Sequence, residues 1–231
     1  EAYKQLRYDN PVFADEKRGK SILTEPAAIK KAVDFADQHG CVKIFDAGDV
    51  QANGFQIVTD EKPGRTITET GASYMGFAVS SMLAFALAGG RDYPMAFTGD
   101  GSFMMNPQIL IDAVEHGLKG MIVLFDNRRM GAITSLQQSQ YAAEYKTDDT
   151  VEVDYVQMAE AVKGVKGFYG GETPEELEKA LAQAYEHDGL SLVHVPVYYG
   201  QDELAGLGSF GDWNVGNWCE RVQKLKHTIG F

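Results

Sequence analysis

The sequence predicts an α/β fold, a doubly wound parallel sheet with helices on both faces. Three observations carry that prediction. Apolar runs of strand length alternate with segments of helical period, the most apolar run suits a strand buried on both faces, and three runs end in loops rich in Gly and Asp. Parallel strands joined by right-handed crossovers bind ligands at their carboxyl ends, so those three loops are where a site is sought.

Residues 1–23 are charged and aperiodic, ending in Glu16-Lys-Arg-Gly-Lys20, and are expected to form an N-terminal arm over the surface or over a partner. The α/β domain is expected over residues 24–200. Thr24 stands where it would cap a first helix, Pro26 falls in the first turn, Ile29, Val33 and Ala36 follow at helical spacing, and Gly40 stops it. A strand is expected at 42–45, a helix of small residues at 76–87, and a strand at 94–98 running into Gly99-Asp100-Gly101-Ser102. Asn106 and Pro107 open a helix reaching His116 and Gly117, and 121–125 is the most apolar strand. A helix at 153–162 and a strand at 165–169 come next. The capping box Thr173-Pro-Glu-Glu176 opens another helix, and a strand at 191–198 closes the sheet. Residues 201–231 lose the alternation and become rich in Gly and Trp, a tail expected to serve as interface or lid, with Trp213 and Trp218 as its candidates.

Composition narrows the function. In 231 residues there is no run near the roughly 20 unbroken apolar residues of a membrane span. The net charge of −12 disfavours nucleic acid and anionic membranes as partners, so an anionic ligand would need a local device to bind. Two cysteines, Cys41 and Cys219, make neither a disulfide framework nor a Cys-x-x-Cys site; with no signal peptide ahead of the first helix, a cytoplasmic location is expected, although the chain starts at Glu1 rather than Met.

The three strand-end loops are Asp46-Ala-Gly-Asp-Val50, then residues 99–102, then Asp126-Asn-Arg-Arg-Met-Gly131. Gly-Asp-Gly-Ser allows close backbone approach, presents a carboxylate and leaves free N–H groups near a helix start, which suits an anion bridged by a metal. Mg²⁺ takes oxygen ligands and commonly shares them with phosphate; Asp100, the Asn127 amide oxygen and a backbone carbonyl just beyond it could supply three.

Gly-Asp-Gly followed by an Asn at the end of an apolar strand, with Asp100 and Asn127 27 residues apart, resembles the cofactor motif of thiamine-diphosphate (TPP) dependent enzymes. Gly71-Ala-Ser-Tyr-Met75-Gly76-Phe77 is similar to the Gly-x-x-x-Met-Gly-Phe segment of the acetolactate synthase group, whose Met supports the bent cofactor. The resemblance covers about residues 24–200 and implies the TPP-binding (PP) domain. Carried over, it assigns Mg²⁺ to Asp100, Asn127 and the Arg129 carbonyl. The diphosphate falls to Gly99, Gly101 and Ser102, flanked by Gly48, Asp49, Val50, Met130, Gly131 and Ala132, and the bend of the cofactor to Ser73, Tyr74 and Met75. Relatives often carry Gln-His where this chain has Asp49-Val50, and a carboxylate beside a diphosphate must be turned away or hydrogen-bonded. Residues 130–137 and Gly211-Asp-Trp-Asn-Val215 look most like the trihydroxycyclohexanedione hydrolases.

The resemblance also implies what lies elsewhere. The Glu that activates TPP belongs to a pyrimidine-binding (PYR) domain, expected here on a partner chain in a hetero-oligomer of two copies of each chain or larger, the alternative being that this sequence is a fragment, with no catalytic residue named on this chain. The function implied is that of a subunit of a 2-keto acid decarboxylase or carboligase. The alternatives are a hydrolase of a cyclic 1,2-dione, or a TPP-binding module without catalysis. A nucleotide-binding Rossmann protein is disfavoured by the lack of Gly-x-Gly-x-x-Gly after the first strand.

Other residues have plainer readings. His39, His116 and His187 end helices, where a cation complements the dipole, and His194 alternates within a strand as a packed or hydrogen-bonded residue. Met104 and Met105 are expected in the core, and Arg128 and Arg129 as a solvated pair.

Overall fold

The computed structural model describes residues 8–69 and 71–198. The expected C-terminal tail, with Trp213, Trp218, Cys219 and residues 211–215, lies outside the described residues.

Strands β1 (Val12–Asp15) and β2 (Lys20–Leu23) pair as an antiparallel hairpin. Helix α1 (Glu25–Gln38) leads into β3 (Val42–Phe45), then α2 (Asp49–Ile57) and β4 (Thr66–Thr68). Helix α3 (Phe77–Leu87), β5 (Pro94–Gly99), the single turn α4 (Asp100–Phe103), α5 (Ile109–Glu115) and β6 (Gly120–Asp126) follow. The described chain continues through α6 (Gly131–Tyr141), α7 (Tyr155–Glu160), β7 (Lys166–Tyr169), α8 (Pro174–Glu186) and β8 (Leu190–Pro196). Six strands form one parallel sheet in the order β4-β3-β5-β6-β8-β7, the doubly wound architecture the sequence predicts.

Alternation along the central strands sorts the core onto two faces. Phe45, Phe97, Phe125, Met121 and Val193 pack under α1, α2 and α8. Their sequence neighbours Ile44, Ala96, Ile122, Leu124 and Leu192 pack under α3, α5 and α7. The rings of Phe45, Phe97 and Phe125 stack across three strands, with centroids 4.6 and 6.3 Å apart. Burying each contributes about 1.5–3 kcal/mol, which makes this aromatic row a main anchor of the strands that carry the three loops.

Several elements differ from expectation. Residues 12–23 are folded as a hairpin rather than an arm without regular structure, and Thr24 N donates to Pro11 O at 2.8 Å. Thr24 takes the N-cap position of α1, but its hydroxyl makes no capping bond. The regular part of α5 begins at Ile109, two residues past Pro107. Helix α2 was not foreseen: no element was expected between the strand at 42–45 and the helix at 76–87. Gly54 is there for packing: a Cβ on it would lie 2.5 Å from the Phe45 ring. The Thr173 capping box forms with both its bonds, as the sequence indicates.

Lys43 on β3 is buried, 1% exposed, and its ammonium is bound by Asp37 and by Asp60 at 2.8 Å. Partial burial opposes ionisation of Asp60, but the hydrogen bond and charge of Lys43 outweigh it and hold the carboxyl below its usual value. A depressed acid stabilises the fold above its unfolded pKa of about 3.9 and loses that contribution as pH falls through the lower folded value. Thermal melts from pH 7 to pH 3 should therefore show the parent chain above Asp60→Asn by a constant margin down to about pH 4, with the two curves converging below it as the parent loses Tm more steeply. Parallel curves across that range would show that the pair contributes nothing.

Candidate functional site

From β3 the chain goes outward to β4, then crosses back to β5 on the other side of β3. The loops leaving the carboxyl ends of β3 and β5 therefore part, and a crevice opens between them. Strands β3 and β6 are each followed by a helix start, α2 at Asp49 and α6 at Gly131, and β5 by the single turn α4 at Asp100. Two helix starts and one single turn, in which Gly101 N already donates to Asp100 Oδ1 at 2.9 Å, thus bring backbone N–H groups to one place, the local device an acidic chain needs to hold an anion.

They border a cavity of about 280 Å³. Fourteen of the fifteen residues expected to contact ligand line it: Gly48, Asp49 and Val50 after β3; Ser73 and Met75 ahead of α3; Gly99, Asp100, Gly101 and Ser102 after β5; and Asn127, Arg129, Met130, Gly131 and Ala132 after β6. Tyr74 is the exception. Its side chain is 61% exposed and outside the cavity, because the turn is closed by Glu69, whose carboxylate accepts the N–H groups of Gly71, Ala72 and Tyr74. The structure adds Glu25, Ala47, Phe125, Ile133 and Leu136 to the lining. Ile133 and Leu136 sit one helical turn apart on α6, and that spacing was their available signal; Glu25, beside Pro26, gave none.

Asp46 holds the crevice in shape. It is fully buried; Oδ1 accepts Ala47 N at 3.0 Å and Gly76 N at 2.8 Å, and Oδ2 accepts the Thr98 hydroxyl at 2.9 Å. Burial pushes its carboxyl up, while the bonds from Thr98, Ala47 and Gly76 pull the other way. Gly76, with φ +88°, has no room for a side chain: a Cβ would meet Met105 Cβ at 3.2 Å and Ser102 O at 3.4 Å. Asp46 and this glycine together fix Met75 beside Gly101. A Cβ on Gly101 would lie 3.1 Å from Met130 Sδ and 3.5 Å from Met75 Cε, so a side chain would fill this part of the cavity.

The charged residues depart from expectation. Asp49 is neither turned away nor hydrogen-bonded: it is 6% exposed, lines the cavity, and its Oδ1 accepts no hydrogen bond. Desolvation drives its carboxyl up to about 7 against the opposing charge of Arg129. Arg129 is not part of a solvated pair. It is 4% exposed, with Nη2 3.1 Å from Asp148 Oδ1, because the 147–149 segment pairs with 128–130 and covers it. Arg128 is half-buried with φ +56°. Met104 and Met105 are exposed at the surface beyond α4 rather than in the core. His194 is hydrogen-bonded as expected, its Nε2 3.0 Å from Asp126 Oδ2. His39 stacks on Phe35 with centroids 4.0 Å apart, and His116 and His187 occupy C-cap positions.

Among the described residues, no group of three or more His, Cys, Asp or Glu is arranged to hold a metal ion. A cation here would take a mixed set of oxygens, from the Asp100 carboxylate, the Asn127 amide and a loop carbonyl. The electrostatics fit such an ion. Burial, then the negative charge of Asp126, raises the Asp100 carboxyl to about 8, a strain that a divalent cation would offset.

The family model described as "Thiamine pyrophosphate enzyme, C-terminal TPP binding domain" matches residues 46–195. The chain belongs to the thiamine pyrophosphate enzyme family. It is 35% identical over 162 residues to the 3D-(3,5/4)-trihydroxycyclohexane-1,2-dione hydrolase of Bacillus subtilis (strain 168), covering 68% of this chain and 25% of that protein. It is 31% identical over 202 residues to the acetolactate synthase isozyme 2 large subunit of Escherichia coli (strain K12), covering 87% of this chain and 34% of that one. The chain thus spans between a quarter and about a third of the length of these relatives. A benzoylformate decarboxylase from Polynucleobacter necessarius shares the fold with a TM-score of 0.68 at 19% identity, over 77% of this chain and 34% of that one. Thiamine diphosphate is the family's cofactor, and the cradle between the two helix starts and the α4 turn suits its diphosphate end. No described helix is long and apolar enough to cross a membrane.

Two substitutions separate the framework from the cradle. Asp46→Ala leaves three buried donors without their acceptor and should lower stability by at least about 2 kcal/mol in urea melts. Gly101→Ala places a methyl group in the cavity on a helical turn that tolerates alanine, so melts should match the parent chain while thiamine diphosphate binding weakens about tenfold or more by calorimetry. Parent-like affinity in Gly101→Ala would place the cofactor elsewhere.

Proposed function

We propose that this chain is the TPP- and Mg²⁺-binding subunit of an enzyme that breaks or forms a carbon–carbon bond next to a carbonyl, acting on a 2-keto acid as decarboxylase or carboligase. The observation that carries the reading is the meeting of two helix starts and the α4 turn with Asp100 and Asn127 around one cavity. In this reading Asp100, Asn127 and the Arg129 carbonyl hold Mg²⁺, and backbone N–H groups of Gly101, Ser102, Gly131 and Ala132 hold the diphosphate. Gly48 to Val50 close its other side, and Met75 supports the bend. Bound thiamine diphosphate supplies a nucleophilic carbon and an electron sink beside the reacting carbonyl. The protein's part is to orient the cofactor, keep water from its diphosphate end and balance its charge with Arg129 and the helix starts.

The activating Glu is proposed to come from a PYR-domain partner chain. An exposed apolar surface supports such a partner. Tyr74 and Met105, the latter 60% exposed, are outward, and Leu87, Ile111 and Val114 are exposed on α3 and α5. Apolar side chains exposed in this number mark an interaction surface. A cytoplasmic location agrees with a buried free thiol at Cys41. The second reading, hydrolysis of a cyclic 1,2-dione, is favoured by the higher identity to the Bacillus hydrolase.

Calorimetric titration of thiamine diphosphate, with and without Mg²⁺, tests the assignment. Binding should require Mg²⁺, and Asp100→Ala and Asn127→Ala should each weaken it by about a hundredfold, since each removes a direct ligand of the ion. Unchanged affinity in Asp100→Ala would remove the metal assignment. The purified chain should be inert toward pyruvate until a PYR-domain chain is added; turnover by the chain alone would overturn the partner, and inactivity with the partner present would favour the dione or a non-catalytic module.

A further inference from the structure

The N-terminal hairpin reaches the loop that follows β6. Asp15 Oδ1 accepts the N–H groups of Lys17 and Arg18 at 3.0 and 3.1 Å and so fixes the hairpin's turn. From that turn the Arg18 guanidinium, mostly buried, donates through Nη2 to Asp126 O at 2.7 Å and lies 3.9 Å from Asp126 Oδ1. Asp126 is the hub of the loop. Its carbonyl also accepts Val197 N at 3.0 Å, its Oδ2 meets His194 Nε2, and its Oδ1 accepts Arg128 N at 3.1 Å. That last bond closes the turn in which Arg128 takes its left-handed conformation, and the next bond, from Arg129 N to Asn127 Oδ1 at 3.1 Å, continues it. A second, weaker arm runs from Lys17 through Asp148 to the Arg129 guanidinium, by contacts of 3.2 and 3.1 Å. Lys17 and Asp148 are both exposed enough that solvent screens most of their attraction, so Arg18 carries the coupling.

We infer that Arg18 is a positioning residue for the proposed metal site: it holds the Asp126 carbonyl and faces its carboxylate, and so sets the turn that presents the Asn127 amide and the Arg129 carbonyl. This rests on the reading of those two groups as metal ligands. Arg18 itself does not line the cavity and touches no reacting group. Its effect is preorganisation: without it the Asp126 backbone loses a charge-assisted donor, and the loop must be ordered at the expense of ligand affinity.

The full chain serves for the test, with thiamine diphosphate and Mg²⁺ as probes in calorimetry and the ligand-free chain in thermal melts. Arg18→Ala should weaken Mg²⁺-dependent binding by about tenfold, the loss expected for one charge-assisted hydrogen bond, and Arg18→Lys should recover part of it. Lys20→Ala is the control. It breaks the ion pair of the same hairpin with Glu172 while leaving the bond from Arg18 to Asp126 O in place, and should leave affinity unchanged. Parent-like affinity in Arg18→Ala, or an equal loss in Lys20→Ala, overturns the inference. Should Arg18→Ala not fold, Arg18→Gln, which keeps an amide donor without the charge, carries the same comparison. If the parent chain itself binds no thiamine diphosphate, it is the functional reading that fails.

Discussion

One buried carboxylate organises the rest of this structure. Asp46 ends β3, bonds the end of β5 through Thr98 and grips the turn ahead of α3 through Gly76. A carboxylate taken out of water is costly unless donors surround it, and here those donors come from three separate segments. The arrangement is mutually dependent. Without Asp46 the N–H groups would be orphaned, and without them Asp46 could not stay buried. Because the two strands it joins lie on either side of the crevice, the spacing of the cavity walls and the seat of Met75 follow from that single set of bonds.

The acidic surface and the anion-binding cavity are reconciled by geometry. A net charge of −12 repels a diphosphate at long range, but two helix starts, the α4 turn, the buried Arg129 and glycines that admit close backbone approach act within contact distance. The carboxylates in the site are arranged around this centre with unequal partners. Asp126 is answered by His194 and Arg18 and stays low, whereas Asp49 and Asp100 are driven up by burial. The pattern suits a site completed by a cation rather than one complete in itself.

What could be read from sequence was set by burial. Strands 94–98 and 121–125 were legible because each is covered on both faces, which forces a mostly apolar run, and 42–45 was legible despite the buried Lys43 in it. The loops after them were legible because Asp100, Asn127 and Met75 recur at fixed offsets, whereas Gly-Asp-Gly-Ser alone is a common turn. The hairpin was not legible, since its docking depends on distant partners: Glu172 for Lys20, Asp126 for Arg18, Tyr198 for Phe13. Helix α2 carries a glycine whose role is to admit the Phe45 ring, a reason visible only once β3 is in place. Arg129 was read as solvated because the segment that covers it lies about 20 residues further on. Tyr74 and Met105, apolar and yet outward, break the rule that apolar means inside, and such breaks gather where another surface belongs.

The strand order has a consequence for how the molecule assembles. Strand β4 lies at the edge, so β5 must return past it to pair with β3, joining Val42 to Pro94 and closing a loop of about fifty residues. That excursion contains α2, the Glu69 turn, Met75 and α3, and Met75 can meet Gly101 only once β5 has paired. Long-range closures of this kind slow folding, because chain entropy is lost before the contacts that compensate it appear. The cavity's walls therefore depend on the sheet's central pairing, which makes occupancy of the site a reporter of the whole folded state.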